Sequence, residues 1–346
     1  MIISTEDALR AHIKQNTPAR LYFLYGDEDY LKSNYASLIE SKCLADDTAG
    51  FNSYRFNSDM SFGDFYEACG SLPIMGERVC VSVKDFAFNK LSDAELKDYI
   101  GVFEGIPDTT TVIFCMATVQ VDKNNAKWKN IINIFDKYGI CAFLTKRNMN
   151  SMTKMLASAA EKRSASISPK NAQYLINAVG DDLNRLLGEF DKVCAYADGR
   201  EITPEIIDAV AVRSVEASVY DITKAINSSD GDRAYFLLGQ LLRQKTEPIF
   251  IIGVLAGEYI DLYRMKCAKK YSGSLAEISS AYQYKNREFR LKNAARLCPD
   301  YSEKRIKKAV TEIADADIRI KSTGVGAQLI LEELIAKLLL LMGKKR

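Results

Sequence analysis

Residues 22–35 read YFLYGDEDYLKSNY: an apolar run, one glycine, three acidic residues and then apolar residues at helical spacing. An apolar run followed by a turn and an amphipathic segment predicts a buried strand that leads into a helix. In many nucleotide-binding folds the same turn holds phosphate, using glycines, a lysine and a Ser or Thr for magnesium. The chemistry of this turn therefore decides whether the chain has an active site of its own.

The turn itself is poorly suited to phosphate. It has one glycine, Gly26, and no Gly-Lys-Ser/Thr sequence. Asp27, Glu28 and Asp29 favour a helix N-terminus, where an exposed carboxylate is worth about 0.3 to 1 kcal/mol, but they repel a triphosphate. Lys32 lies about a turn inside the helix, without the preceding glycines. We therefore predict a strand, turn and helix with no catalytic residue, bound cofactor or metal.

The same strand-then-helix pattern continues to about residue 146. Segments of helical spacing separate the apolar runs, and this alternation predicts a mainly parallel sheet covered by helices. The first domain, residues 1–146, is therefore α/β. The predicted strands are LYFLYG (21–26), NSYRFN (52–57), RVCVSVKD (78–85), TTTVIFCMA (109–117) and ICAFLT (140–145).

After residue 146 the spacing is helical almost to the end. Ser168–Pro169 and Thr203–Pro204 are typical helix starts, and the polar stretch RSVEAS marks a second boundary. We predict a small helical domain over residues 147–213 and a helical bundle over residues 214–346. The apolar segment EPIFIIGVLAGEYIDLYRM is expected at the centre of that bundle.

Composition excludes several classes of protein. The chain has 346 residues, 47% hydrophobic and 27% charged, with a net charge of +2, so nothing drives it as a whole toward polyanions. Its eight cysteines are scattered singly in apolar surroundings, which indicates buried thiols rather than disulfides or a zinc cluster. A single histidine, His12, makes a Cys-His or Ser-His-Asp enzyme improbable on composition alone.

Nothing in the sequence predicts a membrane or secretory role. The N-terminal residues have no basic region followed by an apolar stretch. The final apolar segment is interrupted by Glu332, Glu333 and Lys337, which indicates a core-facing helix rather than a membrane span. We expect a cytoplasmic protein.

Taken in order, several segments resemble the delta subunit of bacterial DNA polymerase III, the clamp-loader component that opens the sliding clamp. They extend over nearly the whole chain, and their common order carries the resemblance more than any one motif does. The segments are YFLYGDEDYL (22–31), SLPIMGERVCVSVKD (71–85), VGDDLNRLLGEFDKVCAYA (179–197), LLRQKTEPIFIIGVLA (241–256) and AVTEIADADIRIKSTG (309–324).

This resemblance implies an architecture and a set of partners. The expected fold is a degenerate AAA+ chain with a RecA-like α/β domain, a three-helix lid domain and a C-terminal helical collar that packs into a five-subunit ring. The implied partners are the ATP-hydrolysing gamma or tau subunits, the delta-prime subunit, the β sliding clamp and primer-template DNA. The implied role is to bind and open the clamp, within the DNA polymerase III holoenzyme, without binding ATP.

The segment GDDLNRL (180–186) is similar to an AAA+ lid motif whose arginine senses the γ-phosphate. The corresponding position here is Asn184, and Arg185 follows one place later. A one-residue shift rotates a side chain by about 100° around a helix, so Arg185 need not face the same cleft. We predict an ordinary lid helix with Leu183, Leu186 and Leu187 on its buried side.

Leu72, Ile74 and Met75 lie on a connection broken by Pro73 and Gly76. Apolar residues on such a connection either pack under their own domain or form an interaction surface, and the residues alone leave both open. The resemblance implies the second, because this segment of delta subunits wedges into a pocket on the clamp. Family members often have an aromatic residue at or beside position 74, which this chain lacks.

Basic residues are grouped in KCAKKY (266–271), KNREFRLKNAAR (285–296) and SEKRIKKAV (302–310). Such clusters can bind phosphate in a salt-dependent way, but the interleaved acidic residues also fit a solvated helix face or an interface with a neighbouring protein. If DNA is bound, the expected contacts are Lys304, Arg305, Lys307 and Lys308.

Two other functions remain open at this stage. One is an active but degenerate AAA+ ATPase of the gamma or delta-prime type, although the Cys-x-x-Cys zinc module usual in those relatives is missing. The other is a helical scaffold unrelated to replication. ATP binding by the isolated chain would favour the first, and failure to associate with a clamp or a clamp loader would favour the second.

Overall fold

The computed structural model describes residues 2–3, 6–15, 17–45, 47, 50–271, 273–284 and 288–343. The chain divides into two compact units, Met1–Arg147 and Asn148–Arg346. Each unit is described by itself below. The finer division into three domains, with boundaries after residues 146 and 213, stays a prediction.

The first unit is built on a parallel sheet. Its strands are Ile2–Ile3 (β1), Leu21–Gly26 (β2), Ser53–Phe56 (β3), Val79–Lys84 (β4), Thr110–Cys115 (β5) and Ile140–Leu144 (β6), in the spatial order β1-β6-β2-β5-β4-β3. The connecting helices are Glu6–Gln15 (α1), Asp29–Cys43 (α2), Phe62–Gly70 (α3), Asp93–Gly105 (α4) and Ala126–Tyr138 (α5).

The sheet forms because its central strands are apolar on both faces. All six residues of β5 and five of the six in β2 are buried, as expected when helices cover both sides of a parallel sheet. Phe88, Phe114 and Phe135 pack together on one side, with ring centroids 4.9 to 5.3 Å apart. The five predicted strands are confirmed. The two-residue β1, paired with β6, was not predicted.

The described residues of the second unit are mostly helical, with an isolated parallel β-bridge between Ser166 and Glu201. Its helices are Met149–Glu161 (α6), Pro169–Val179 (α7), Leu183–Ala197 (α8), Pro204–Val210 (α9), Val215–Asn227 (α10), Gly231–Arg243 (α11), Pro248–Lys270 (α12), Leu275–Ala281 (α13), Glu288–Leu297 (α14), Glu303–Ser322 (α15) and Ala327–Met342 (α16). Residues 147–213, all of them described, contain four helices, α6 to α9, where three were predicted.

The helix starts follow their capping residues. Ser168 caps α7 by accepting a hydrogen bond from the Asn171 N–H at 3.2 Å, and Pro169 occupies the first turn as predicted. Thr203 also stands at an N-cap, but its side chain does not cap α9. Both helices therefore begin at the predicted residues, and only one uses the predicted hydrogen bond.

Helix α12 is the centre of a core formed by residues between 219 and 342, as predicted. It packs against α10, α13, α14, α15 and α16. It also carries a buried carboxylate, Asp261, which accepts a hydrogen bond from Tyr284 and lies 2.8 Å from Nε of Arg290. The buried charge is therefore paired, as a charge in a helical core must be.

The remaining expectations from composition concern cysteine, histidine and membrane spans. All eight cysteines are free thiols, and seven of them are buried. His12 is half-buried and its Nε2 lies 3.0 Å from the Tyr22 hydroxyl. Among the described helices, none is long and apolar enough to cross a membrane.

Candidate functional site

The carboxyl edge of a parallel sheet is where ligands usually bind in α/β folds. Here the turn after β2 crosses to the end of β6. Leu144 O accepts hydrogen bonds from the Asp27 N–H at 2.9 Å and from the Glu28 N–H at 3.2 Å. Two backbone N–H groups of the turn, which could otherwise face a phosphate, are therefore bonded to the protein itself.

Gly26 serves this close approach of the two strands. Its φ is +130°, a conformation that favours glycine. A Cβ atom at this position would lie 2.2 Å from Leu144 O. The lone glycine of the turn is thus required for strand packing.

Lys32 is the residue that closes the edge. Its side chain is 1% exposed, and its Nζ donates to Gly26 O at 2.9 Å and to Ala117 O at 3.0 Å. The third contact is a 2.9 Å ion pair with the Asp29 carboxylate. An ammonium has three donors, and all three are used within the chain. The sequence analysis placed Lys32 inside the helix but did not predict its burial or these partners.

Asp85, directly after β4, also serves the protein rather than a ligand. Its carboxylate accepts hydrogen bonds from the Thr118 N–H at 2.6 Å and the Val119 N–H at 3.0 Å. Burial by itself would raise the pKa of Asp85, but these hydrogen bonds, with the nearby charge of Lys32, outweigh it and lower the pKa. The carboxylate is therefore held ionised as an anchor for the loop that follows β5.

Together these contacts argue against a nucleotide at the edge. Two turn amides, the lysine and a carboxylate that could serve a phosphate and its magnesium are already bonded within the protein. Among the described residues, no cluster of three or more His, Cys, Asp or Glu side chains could hold a metal ion. The residues present do not fit an ATP site.

Arg185, in the GDDLNRL segment (180–186), is also bonded within the protein. Leu183 and Leu186 are buried and Leu187 is half-buried, close to the predicted pattern. Nη2 of Arg185 donates to Arg213 O at 2.9 Å and to Val212 O at 3.4 Å. Its guanidinium therefore stabilises the 212–213 connection, and Asn184 is exposed.

The segment of residues 71–77, between α3 and β4, is on the surface. Leu72, Ile74 and Met75 are 78%, 55% and 87% exposed. Of the two alternatives left open by the sequence, packing under the domain is excluded by this exposure. A role in clamp binding stays a prediction.

The backbone of this 71–77 segment is held by a residue that the sequence analysis missed. Asn52 lies just before β3 and is 1% exposed. Its Oδ1 accepts from the Ile74 N–H at 2.7 Å, and its Nδ2 donates to Ile74 O at 2.9 Å. The exposed apolar residues are therefore carried by an ordered backbone.

The predicted DNA contacts divide into two kinds. Lys304, Lys307 and Lys308 are exposed on the first turns of α15. Arg305 is not available in the same way, because its Nε donates to Leu341 O at 2.7 Å, at the end of α16. DNA binding by the three lysines stays a prediction, and Arg305 is better explained as a helix-end contact.

The other basic clusters lie near this surface. Nζ of Lys270, at the end of α12, forms a 2.9 Å ion pair with Glu303 at the start of α15. Lys266 and Lys269 donate to backbone carbonyls of residues 298 and 295. Residues 285–287 of the KNREFRLKNAAR cluster lie outside the described residues. The structure thus brings KCAKKY and SEKRIKKAV together but uses several of their charges internally.

Comparison with known proteins agrees with this arrangement. Residues 22–137 match the model of the DNA polymerase III delta subunit, and residues 216–338 match the model of the C-terminal domain of that delta subunit. The chain belongs to the DNA polymerase III delta subunit family. A Bacillus subtilis DNA polymerase III subunit delta is 23% identical over 339 residues, covering 94% of this chain and 95% of the relative.

A solved structure shows the same fold. The Bacillus subtilis DNA clamp loader delta protein superposes with a TM-score of 0.65 at 22% identity, over 96% of this chain and 98% of that one. The predicted fold class, an α/β unit followed by helices, is confirmed. Family membership also removes the alternative of a scaffold unrelated to DNA polymerase III.

Replacing the buried lysine should destabilise the first unit. In Lys32→Met the carbonyls of Gly26 and Ala117 lose their donor while remaining buried, which should cost about 2 to 4 kcal/mol of unfolding free energy. The chain's single tryptophan, Trp128, is buried in this unit, so its fluorescence during denaturation reports the loss. The matched control is Lys97→Met on the exposed face of α4, and equal stability of the two variants would contradict the assignment.

The isolated chain should not bind ATP. Because Lys32, Asp85 and the turn amides are already bonded, titration of Mg·ATP into the purified protein should give no saturable heat. A gamma or tau subunit from the same source is the positive control under identical conditions. Saturable binding would favour the degenerate ATPase instead.

Proposed function

We propose that this chain is the clamp-opening subunit of a bacterial replicative clamp loader. It binds the β sliding clamp through Leu72, Ile74 and Met75 and opens it for loading onto primed DNA, without binding ATP. The observation that supports this most is the exposure of all three apolar side chains on one short connection. The proposal also draws on family membership and on the name of the Bacillus subtilis relative, a clamp loader delta protein.

The chemistry of the 71–77 segment suits insertion into an apolar pocket. Exposed large apolar side chains close together in sequence commonly mark an interaction site. Leucine and isoleucine supply area that is removed from water on binding, and methionine adapts to the shape of a pocket through its flexible side chain. Binding energy from a few such anchors can exceed that from the rest of an interface.

In this proposal the chain works by binding and not by chemistry. A ligand shifts an equilibrium only as far as its affinity differs between the two states. The 71–77 segment would therefore bind the open clamp more tightly than the closed one. The proposed partners are the gamma or tau subunits and the delta-prime subunit, and ATP bound by gamma or tau would control access to the segment through coupling between sites.

Truncating the anchors should abolish clamp binding. The double variant Leu72→Ala/Ile74→Ala removes two exposed side chains, so stability should be unchanged while affinity falls by about 100-fold or more, since a buried anchor commonly contributes about 2 kcal/mol or more. Surface plasmon resonance against an immobilised cognate clamp measures this. Leu38→Ala, which truncates an exposed leucine of α2, is the control and should bind like the parent chain.

Either of two results would contradict the clamp-binding proposal. The parent chain could show no affinity for the cognate clamp, alone or with ATP-bound partner subunits. Alternatively, the folded double variant could bind as well as the parent, in which case the site lies elsewhere on the chain.

We further propose that Lys304, Lys307 and Lys308 contact the DNA backbone in the assembled loader. Replacing all three with Ala should weaken primer-template binding at low salt and reduce the slope of log affinity against log salt, by up to about 0.9 per lost phosphate contact. Anisotropy of labelled primer-template measures both quantities. The control replaces the exposed Lys90, Lys97 and Lys129 with Ala and so makes the same change in net charge; equal effects would attribute the loss to net charge alone.

A further inference from the structure

The side-chain amide of Asn52 forms two hydrogen bonds with the backbone of the 71–77 segment, much as the backbone of one strand bonds to its neighbour. It accepts from the N–H and donates to the C=O of the same residue, Ile74, at 2.7 and 2.9 Å. Both bonds are formed by a side chain that is 1% exposed, so water competes little for them. The residue at the middle of the apolar segment is thus fixed through its backbone, and its side chain remains 55% exposed.

Asn52 is itself fixed from two sides. Its N–H donates to Oδ2 of Asp47 at 2.8 Å, and its C=O accepts from the Cys80 N–H at 2.8 Å. The other carboxylate oxygen of Asp47 accepts from Gly50 and Phe51 N–H groups at 2.9 and 3.2 Å. The backbone that carries the amide side chain is therefore held both by Asp47 and by Cys80 of β4.

The two residues after Ile74 have unusual backbone geometry beside this contact. Met75 has a φ of +52°, which is uncommon for a residue with a side chain. Gly76 passes so close that a Cβ atom there would lie 2.9 Å from Nδ2 of Asn52. A conformation of this kind persists only where the surroundings determine it, and the bonds of Asn52 fix the residue directly before Met75.

We propose that Asn52 is a positioning residue for partner binding: it presets the 71–77 segment in the conformation that presents Leu72, Ile74 and Met75. This inference rests on the proposed clamp binding. Without the two hydrogen bonds the segment samples many conformations, including ones with its apolar side chains folded onto its own domain. Binding must then order the segment, which costs conformational entropy that a preset segment does not lose on binding.

The test compares two asparagines of the first unit that each bond to backbone groups. Asn52→Ala removes the contact with Ile74, whereas Asn125→Ala removes the cap of α5, where Oδ1 accepts from Lys127 and Trp128 N–H groups. Asn52→Ala should bind the cognate clamp about tenfold more weakly, mainly through slower formation of the complex. Asn125→Ala should bind like the parent chain, even where its melting temperature falls as far.

Two further measurements separate positioning from general loss of structure. Hydrogen exchange of the Ile74 N–H should accelerate in Asn52→Ala while exchange in β2 and β5 is unchanged. In an Ile74→Ala background, adding Asn52→Ala should cost less affinity than it does in the parent, because one of the three side chains that Asn52 positions is already missing. If Asn52→Ala fails to fold, Asn52→Asp retains the acceptor for the Ile74 N–H and should bind with intermediate affinity.

The outcomes distinguish this inference from the proposed function. If the parent binds the clamp and folded Asn52→Ala binds equally well, the positioning role is wrong and clamp binding stands. If Asn125→Ala loses as much affinity as Asn52→Ala, the effect is one of stability and the inference is also wrong. If the parent does not bind the clamp at all, the proposed function fails first.

Discussion

The ammonium of Lys32 is the contact on which the first unit depends. It joins the carbonyl at the end of β2 to the one just after β5, 85 residues from the lysine in the chain, and it is almost fully removed from water. Buried carbonyls at the end of a parallel sheet need donors, and in a nucleotide-binding domain the surrounding loops and ligand organise that edge. Here the chain supplies the donor itself. The edge is thereby completed without a ligand.

The edge that Lys32 closes lies opposite the surface proposed for clamp binding. All strands of a parallel sheet start at one edge and end at the other. Lys32, Asp85 and the turn after β2 lie at the carboxyl edge, whereas Asn52 and the 71–77 segment directly precede β3 and β4 and lie at the amino edge. The exposed apolar residues therefore lie at the edge of the sheet opposite the one that Lys32 closes.

Features that depend on neighbouring residues could be predicted from the sequence, whereas contacts between residues far apart in the chain could not. Strands such as LYFLYG follow from local apolar patterns, and the mismatch of GDEDYLKSNY with a phosphate loop follows from residue types alone. The Lys32 contact with Ala117 and the Asn52 contact with Ile74 join residues far apart in the chain, and neither side chain belongs to a recognisable motif. A buried lysine and a buried asparagine look like ordinary surface residues until the sheet order is known. The fold was thus more predictable than the contacts that shape its sites.

Lys32 and Arg185 are held in the same way. Each is a cation that donates to backbone carbonyls of its own unit. Such donors cannot turn toward a ligand without leaving those carbonyls unsatisfied, which opposes any gain from phosphate. Adding glycines to the turn would therefore not by itself create an ATP site, because the lysine would still be engaged. The packing of the chain thus opposes nucleotide binding at both places, in addition to the mismatch of the motifs.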